Sequence, residues 1–103
     1  MKKRMFLDDC RNPSVENFDI ICRSYNEAIE YVKENGIPDY ISFDHDLGID
    51  ETGYDFAKWL VNSDIENRYR FPNGFSFNVH SANPIGKRNI ESLLNSYLIF
   101  KFR

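Results

Sequence analysis

Apolar residues recur along this chain in two rhythms, and the switch between them falls each time at a polar or turn-forming residue. Alternation over short runs predicts strands over residues 4–7, 18–22, 40–44 and 75–80. A helical period predicts helices between them. The first starts at Ser24-Tyr25-Asn26-Glu27, a capping-box pattern, turns Ala28, Ile29 and Val32 inward and stops at Gly36. The second begins near Thr52-Gly53, after the loop 47–52, with Phe56, Ala57, Leu60 and Val61 as its buried stripe. Asn73-Gly74 then turns the chain into the next strand. The third helix is capped by Asn83 with Pro84 at its first position and carries Gly86, Ile90, Leu93, Leu94 and Tyr97 inward. Residues 98–102 alternate again and predict a closing fifth strand.

Strands interleaved with helices predict an α/β domain with a five-stranded, mostly parallel sheet and right-handed crossovers. Only about ten residues separate the first two strands, fewer than a parallel crossover with a helix needs. The strands of such a sheet are usually apolar on both faces, yet these alternate. Met5, Leu7, Ile41, Phe43, Phe75, Phe77, Val79, Leu98, Phe100 and Phe102 make one apolar set. The other set is polar: Arg4, Phe6, Asp8, Tyr40, Ser42, Asp44, Ser76, Asn78, His80, Ile99, Lys101 and Arg103. Three helices therefore cover one face only. The second face is left to water, a ligand or a sister subunit, and Phe6 and Tyr40 beside cations make a homodimer through it one expectation.

At 103 residues the chain has room for one domain, residues 1–103, with one core. No run approaches the roughly 18 apolar residues of a membrane span, and Met1-Lys2-Lys3-Arg4 leads straight into a strand rather than into a secretory signal. The expected location is cytoplasmic. Cys10 and Cys22 are accordingly read as reduced thiols. A net charge of −3 argues against non-specific binding of duplex DNA.

The chemistry-bearing residues gather at strand ends. Asp8-Asp9, Asp44-His45-Asp46 and His80-Ser81-Ala82-Asn83 each follow an apolar run. The carboxyl ends of parallel strands share one edge, where ligands bind, so the three clusters are expected to converge. Carboxylates from Asp8, Asp9, Asp44 and Asp46 brought together would repel one another unless a cation sat among them. The expected cofactor is a divalent metal, magnesium or manganese for an all-oxygen set. His80, and secondarily His45, are the candidates for proton transfer, with a hydrogen-bonded spacer as the plain alternative for His45. Ser81, Asn83, Lys87 and Arg88 at a helix start, with Arg11, form a candidate phosphate-binding set. No glycine-rich nucleotide fingerprint is present.

The motifs Leu7-Asp8-Asp9-Cys10-Arg11-Asn12-Pro13, Ser42-Phe43-Asp44-His45-Asp46-Leu47-Gly48, Thr52-Gly53-Tyr54-Asp55 and His80-Ser81-Ala82-Asn83-Pro84-Ile85-Gly86 resemble those of receiver domains. Taken together they look most like the divergent cyclic-phosphate processing receiver-like domains. The resemblance implies a reduced flavodoxin-like sheet. It sets Asp8-Asp9 beside the receiver acidic pair, Asp44 beside the phospho-acceptor, Ser81 beside the switch hydroxyl and Lys101 near the invariant lysine. It also implies a metal-dependent phosphoesterase, catalytic through His80, His45 and Asp44, whose partner is a cyclic-phosphate-bearing nucleotide or RNA end. Two other readings stay open: a signalling receiver phosphorylated on Asp44, and a non-catalytic module that binds a nucleotide or a protein on the open face.

Overall fold

A computed structural model describes residues 2–14, 17–48 and 51–103. In chain order the elements are β1 (Arg4–Leu7), β2 (Ile20–Cys22), α1 (Tyr25–Asn35), β3 (Tyr40–Phe43), α2 (Gly53–Ile65), β4 (Ser76–Val79) and α3 (Pro84–Lys101). The four strands pair in parallel in the order β2-β1-β3-β4. Val15 and Glu16, within the tight β1–β2 connection, lie outside the described residues, as do Ile49 and Asp50 of the loop 47–52 and Met1 of the basic start.

The alternation fixes the faces as expected. Met5, Leu7, Ile41, Phe43, Phe75 and Val79 are buried in one cluster with Ala28, Ile29 and Val32 of α1, Phe56, Ala57, Leu60 and Val61 of α2, and Ile90 and Leu94 of α3. All three helices therefore share one face of the sheet. The strand order explains why. The step from β1 to β2 runs opposite to the steps that follow, and right-handed crossovers send opposite steps over opposite faces. That one connection is too short for a helix, so the second face receives only a loop. Phe18 of the loop meets Phe6 edge-on, with ring centroids 5.2 Å apart, and Arg4 lies over the rings of Phe18 and Tyr40. Phe6 is thus buried within the chain, whereas Ser76 and Asn78 on the same face are exposed. An interface through this face has Ser76, Asn78 and Tyr40 to offer, and not Phe6.

The helices begin as their sequences dictate. Ser24 Oγ accepts from the Glu27 backbone N–H, although the Glu27 carboxylate reaches Arg23 N–H rather than closing the box on Ser24. A full capping box forms instead at Thr52 and Asp55. Asn83 Oδ1 accepts from the N–H groups of Ile85 and Gly86, which starts α3.

The fifth strand is a correction. Residues 98–101 continue α3, because no glycine or proline interrupts the chain after Leu94 and the helical period continues through Tyr97, Leu98 and Lys101. Alternation and helical period coincide over so short a run, and the long-range contacts favour the helix. Tyr97 and Lys101, one turn apart, both reach Asp64 at the end of α2. Ile99 and Phe100 face outward, 69% and 67% exposed, and no longer belong to either sheet face. No described helix is long and apolar enough to cross a membrane.

Candidate active site

The site follows from the register. Arg4, Tyr40 and Ser76 stand side by side across β1, β3 and β4, as do Phe6, Ser42 and Asn78. The same offset continued one step past the strand ends brings Asp8, Asp44 and His80 into one row. Backbone bonds hold that row: Asp44 N–H donates to Leu7 O at 2.9 Å, His80 N–H to Phe43 O at 2.9 Å and Asp8 N–H to Cys22 O at 3.1 Å. Because β1 is the strand at which the order reverses, the row sits at the switch point, where open α/β sheets bind ligands. Donor atoms of Asp8, Asp44 and His80 lie within 4.8 Å of one another.

Asp8 is the hub and is fully buried. Its Oδ1 accepts from the backbone N–H groups of Cys10 (3.0 Å) and Arg11 (2.8 Å), and its Oδ2 from Arg11 Nε (2.9 Å). The same oxygen lies 3.0 Å from His80 Nε2. Burial pushes the Asp8 carboxyl upward, but these hydrogen bonds and the Arg11 charge outweigh it and hold Asp8 below the usual carboxylate range. Asp8 is therefore an acceptor, and His80 Nε2 carries the proton between them. On the other side of the ring, His80 Nδ1 and Ser42 Oγ share a hydrogen bond of 2.7 Å, and the ring stacks on Phe6 with centroids 4.5 Å apart. Ser42, one pleat below Asp44 and 4% exposed, thus fixes the orientation of the imidazole.

Asp44 has a looser setting. Its described partner is Arg11, whose Nη2 is 3.6 Å from Asp44 Oδ2 and 3.4 Å from His80 O. Asp9 and Cys10 are exposed, and their ligand atoms lie within 4.8 Å of Asp8. The charge of Asp9 and then burial push the Cys10 thiol up, and burial pushes Cys22 up to about 12, so neither unpaired cysteine is an activated nucleophile. Beside the row, Phe6, Arg11, Asn12, Ser14 and His80 line a shallow pocket of about 260 Å³.

Several other residues expected at the site are engaged with partners outside the row. His45 turns from the row: its Nδ1 meets the exposed Asp46 carboxylate at 3.0 Å, and its ring fills the space that a Cβ on Gly86 would need. Asp46 joins His45 rather than the carboxylate pair. Ser81 Oγ accepts from Asn83 N–H, and Asn83 spends its own oxygen on the helix cap. Lys87 and Arg88 are exposed near the start of α3. Lys101 is the clearest displacement: its Nζ binds both oxygens of Asp64 at 2.9 and 3.0 Å, at the far end of a helix that rises about 27 Å from Pro84.

Two residues of the site were not singled out from sequence. Ser42 is one; Arg23 is the other. Arg23 Nη1 donates to Asp8 O (3.2 Å) and Arg11 O (2.6 Å), and Nη2 to Asn12 Oδ1 (2.6 Å), which clamps the loop after β1. Its position just past the apolar run of β2 is the same strand-end signal that marked the acidic clusters.

Acid should weaken this arrangement together with the rest of the fold. The carboxyls of Asp8, Asp55 and Asp64 are all held low: backbone hydrogen bonding at Thr52 leads for Asp55, and hydrogen bonds and charges outweigh burial for Asp8 and Asp64. A carboxyl lowered by folding stabilises the native state above its unfolded value and loses that contribution as pH falls through its folded value. The melting temperature is expected to be flat near neutrality and to fall below about pH 4. A thermal melt that is unchanged down to pH 2 would contradict this.

A four-stranded parallel α/β sheet with carboxylates and an imidazole at its switch point fits a receiver-type domain. The chain belongs to the cyclic-phosphate processing receiver domain family, whose model matches residues 3–96. No curated protein matches the chain at a significant level. A solved structure described as a fusion carrying a yeast Spc42 trimeric coiled-coil segment resembles it with a TM-score of 0.57 at 20% identity, over 89% of this chain and 63% of that one. The chain thus spans less than two thirds of that structure, and the likeness speaks for the fold alone.

Proposed function

We propose that the protein is a divalent-metal-dependent phosphoesterase that opens cyclic phosphates on nucleotides or RNA ends. The observation that carries this reading is the row Asp8-Asp44-His80 with Arg11 across it, in a member of a family described by cyclic-phosphate processing. The donor set fits a hard cation: Asp8 and Asp44 give carboxylate oxygens, and Asp9 stands next to Asp8. An imidazole within reach moves the preference from magnesium toward manganese. A divalent cation held by Asp8 and Asp44 would supply Lewis-acid stabilisation of phosphoryl charge and a more acidic water.

The chain's own groups divide the remaining work. Arg11 would bind the non-bridging phosphoryl oxygens, since its fork suits an oxyanion and its side chain is half exposed. His80 would pass a proton at Nε2, with Ser42 holding the ring at Nδ1. In the reaction water oxygen attaches to phosphorus, one ring P–O bond breaks, and the departing oxygen takes a proton to become a hydroxyl. The product is a phosphomonoester. Arg23 would keep the Asp8–Asn12 loop in place throughout.

The place of Lys101 favours this reading over a phosphorylated signalling receiver, because the lysine that the signalling reading relies on is bound to Asp64 instead. The test is incubation with manganese and a panel of cyclic phosphates, comprising RNA ends, cyclic mononucleotides and cyclic dinucleotides, followed by mass. Opening of at least one class, abolished by chelation and greatly slowed in His80→Ala, is expected. No opening of any class, or opening that is indifferent to chelation, would contradict the proposal.

A further inference from the structure

The acidic strand ends already hold a cation of the chain's own. Asp8 Oδ1 caps the turn that follows β1 by accepting from Cys10 and Arg11 N–H, and that turn folds the Arg11 side chain back over the carboxylates. Arg11 Nε then lies 2.9 Å from Asp8 Oδ2, and Nη2 lies 3.6 Å from Asp44 Oδ2. We infer that Arg11 is an internal counter-ion that competes with the divalent cation for Asp8 and Asp44, and that its guanidinium turns out toward the phosphate when the cation binds. The inference rests on the metal reading above.

Three observations favour it. The oxygens that Arg11 engages belong to the two carboxylates placed to ligate the metal, and two cations cannot share them without strong repulsion. Arg11 is free to leave, being 52% exposed while Asp8 is fully buried. Asp8 does not need the Arg11 side chain to stay in place, because the backbone N–H groups of Cys10 and Arg11 and the His80 ring also hold it, and Arg23 clamps the loop behind.

The arrangement has two consequences. Without metal, Arg11 offsets one of the two carboxylate charges of Asp8 and Asp44, so a monovalent ion, gaining half as much from those carboxylates as a divalent one, competes less well with the guanidinium. The guanidinium also becomes available to an anion only once the cation is in place. Cation and anion should therefore bind with positive, reciprocal coupling.

The measurement is binding of Mn²⁺ alone, without phosphate, by electron paramagnetic resonance of the free ion. Arg11→Ala and Arg11→Met are expected to tighten Mn²⁺ binding by about two- to fivefold, the scale of a half-exposed charge pair. Arg11→Lys, which keeps the charge but loses the fork, should fall between them and the wild type. In a second titration, inorganic phosphate should tighten Mn²⁺ binding more in the wild type than in Arg11→Ala. Unchanged or weaker Mn²⁺ binding in both Arg11→Ala and Arg11→Met, with melting temperatures like the wild type, would overturn the inference while binding lost in Asp44→Asn kept the metal reading. Absence of Mn²⁺ binding in the wild type and in every Arg11 variant would overturn both.

Discussion

Asp44→Asn is expected to abolish metal-dependent opening of cyclic phosphates, with a loss of at least roughly a hundredfold, while its melting temperature stays close to that of the wild type. Even outer-shell partners of a bound metal cost about 10- to 100-fold on removal, and Asp44 is placed to be a direct ligand. The fold has little stake in its charge. The backbone of Asp44 is fixed by donation to Leu7 O, and its carboxylate meets only Arg11, at 3.6 Å, among the described residues. Asp8 differs, because four donors converge on it and its removal would disturb the loop as well as the chemistry. Steady-state rates with manganese, paired with a thermal melt, check the prediction. Activity within a few-fold of the wild type would remove Asp44 from the mechanism.

Asp64→Ala should produce the largest loss of stability and leave the site's local geometry in place. Asp64 is 4% exposed, and its oxygens accept from Tyr97 Oη, from Lys101 Nζ, from the Phe71 backbone N–H at 2.9 Å and from Arg70 Nε at 3.2 Å. These partners join the end of α2, the loop into β4 and the last turn of α3. Burial alone would raise the Asp64 carboxyl; the bonds from Tyr97, Lys101 and Phe71 more than offset it, and burial together with Asp64 pushes Tyr97 up to about 12. Truncation leaves a largely buried ammonium and a buried N–H without their acceptor, at a cost of about 3 kcal/mol. For a chain of this size that is a fall of more than about 10 °C in Tm. A shift of a degree or two would show the cluster to be a surface ornament.

Much of the site was legible because alternation determines more than element type. A strand's parity sets which face each residue occupies, and the polar parity of β1, β3 and β4 carries Asp8, Asp44 and His80 to one side. What could not be read was the local turn. The sequence offers Arg11 as a phosphate ligand, yet its engagement with Asp8 and Asp44 depends on a turn that Asp8 itself caps. The carboxylates thus have a counter-ion within the chain, a point that charge repulsion argued from sequence does not reveal. The Asp64 cluster was hidden for another reason: Lys101 and Tyr97 reach it only if residues 98–101 are helical, and alternation there pointed to a strand. Ser42 went unmarked because a serine on a polar strand face looks like a solvated one until His80 folds back over it.

The most direct test of the central claim follows the fate of water oxygen. The protein, manganese and the cyclic phosphate that the panel identifies would be incubated in heavy-oxygen water, and the product analysed by mass. The account predicts one heavy oxygen in each phosphomonoester, formed by the wild type and absent with Asp44→Asn or chelator. Product formed without heavy oxygen, or formed equally by Asp44→Asn, would contradict it.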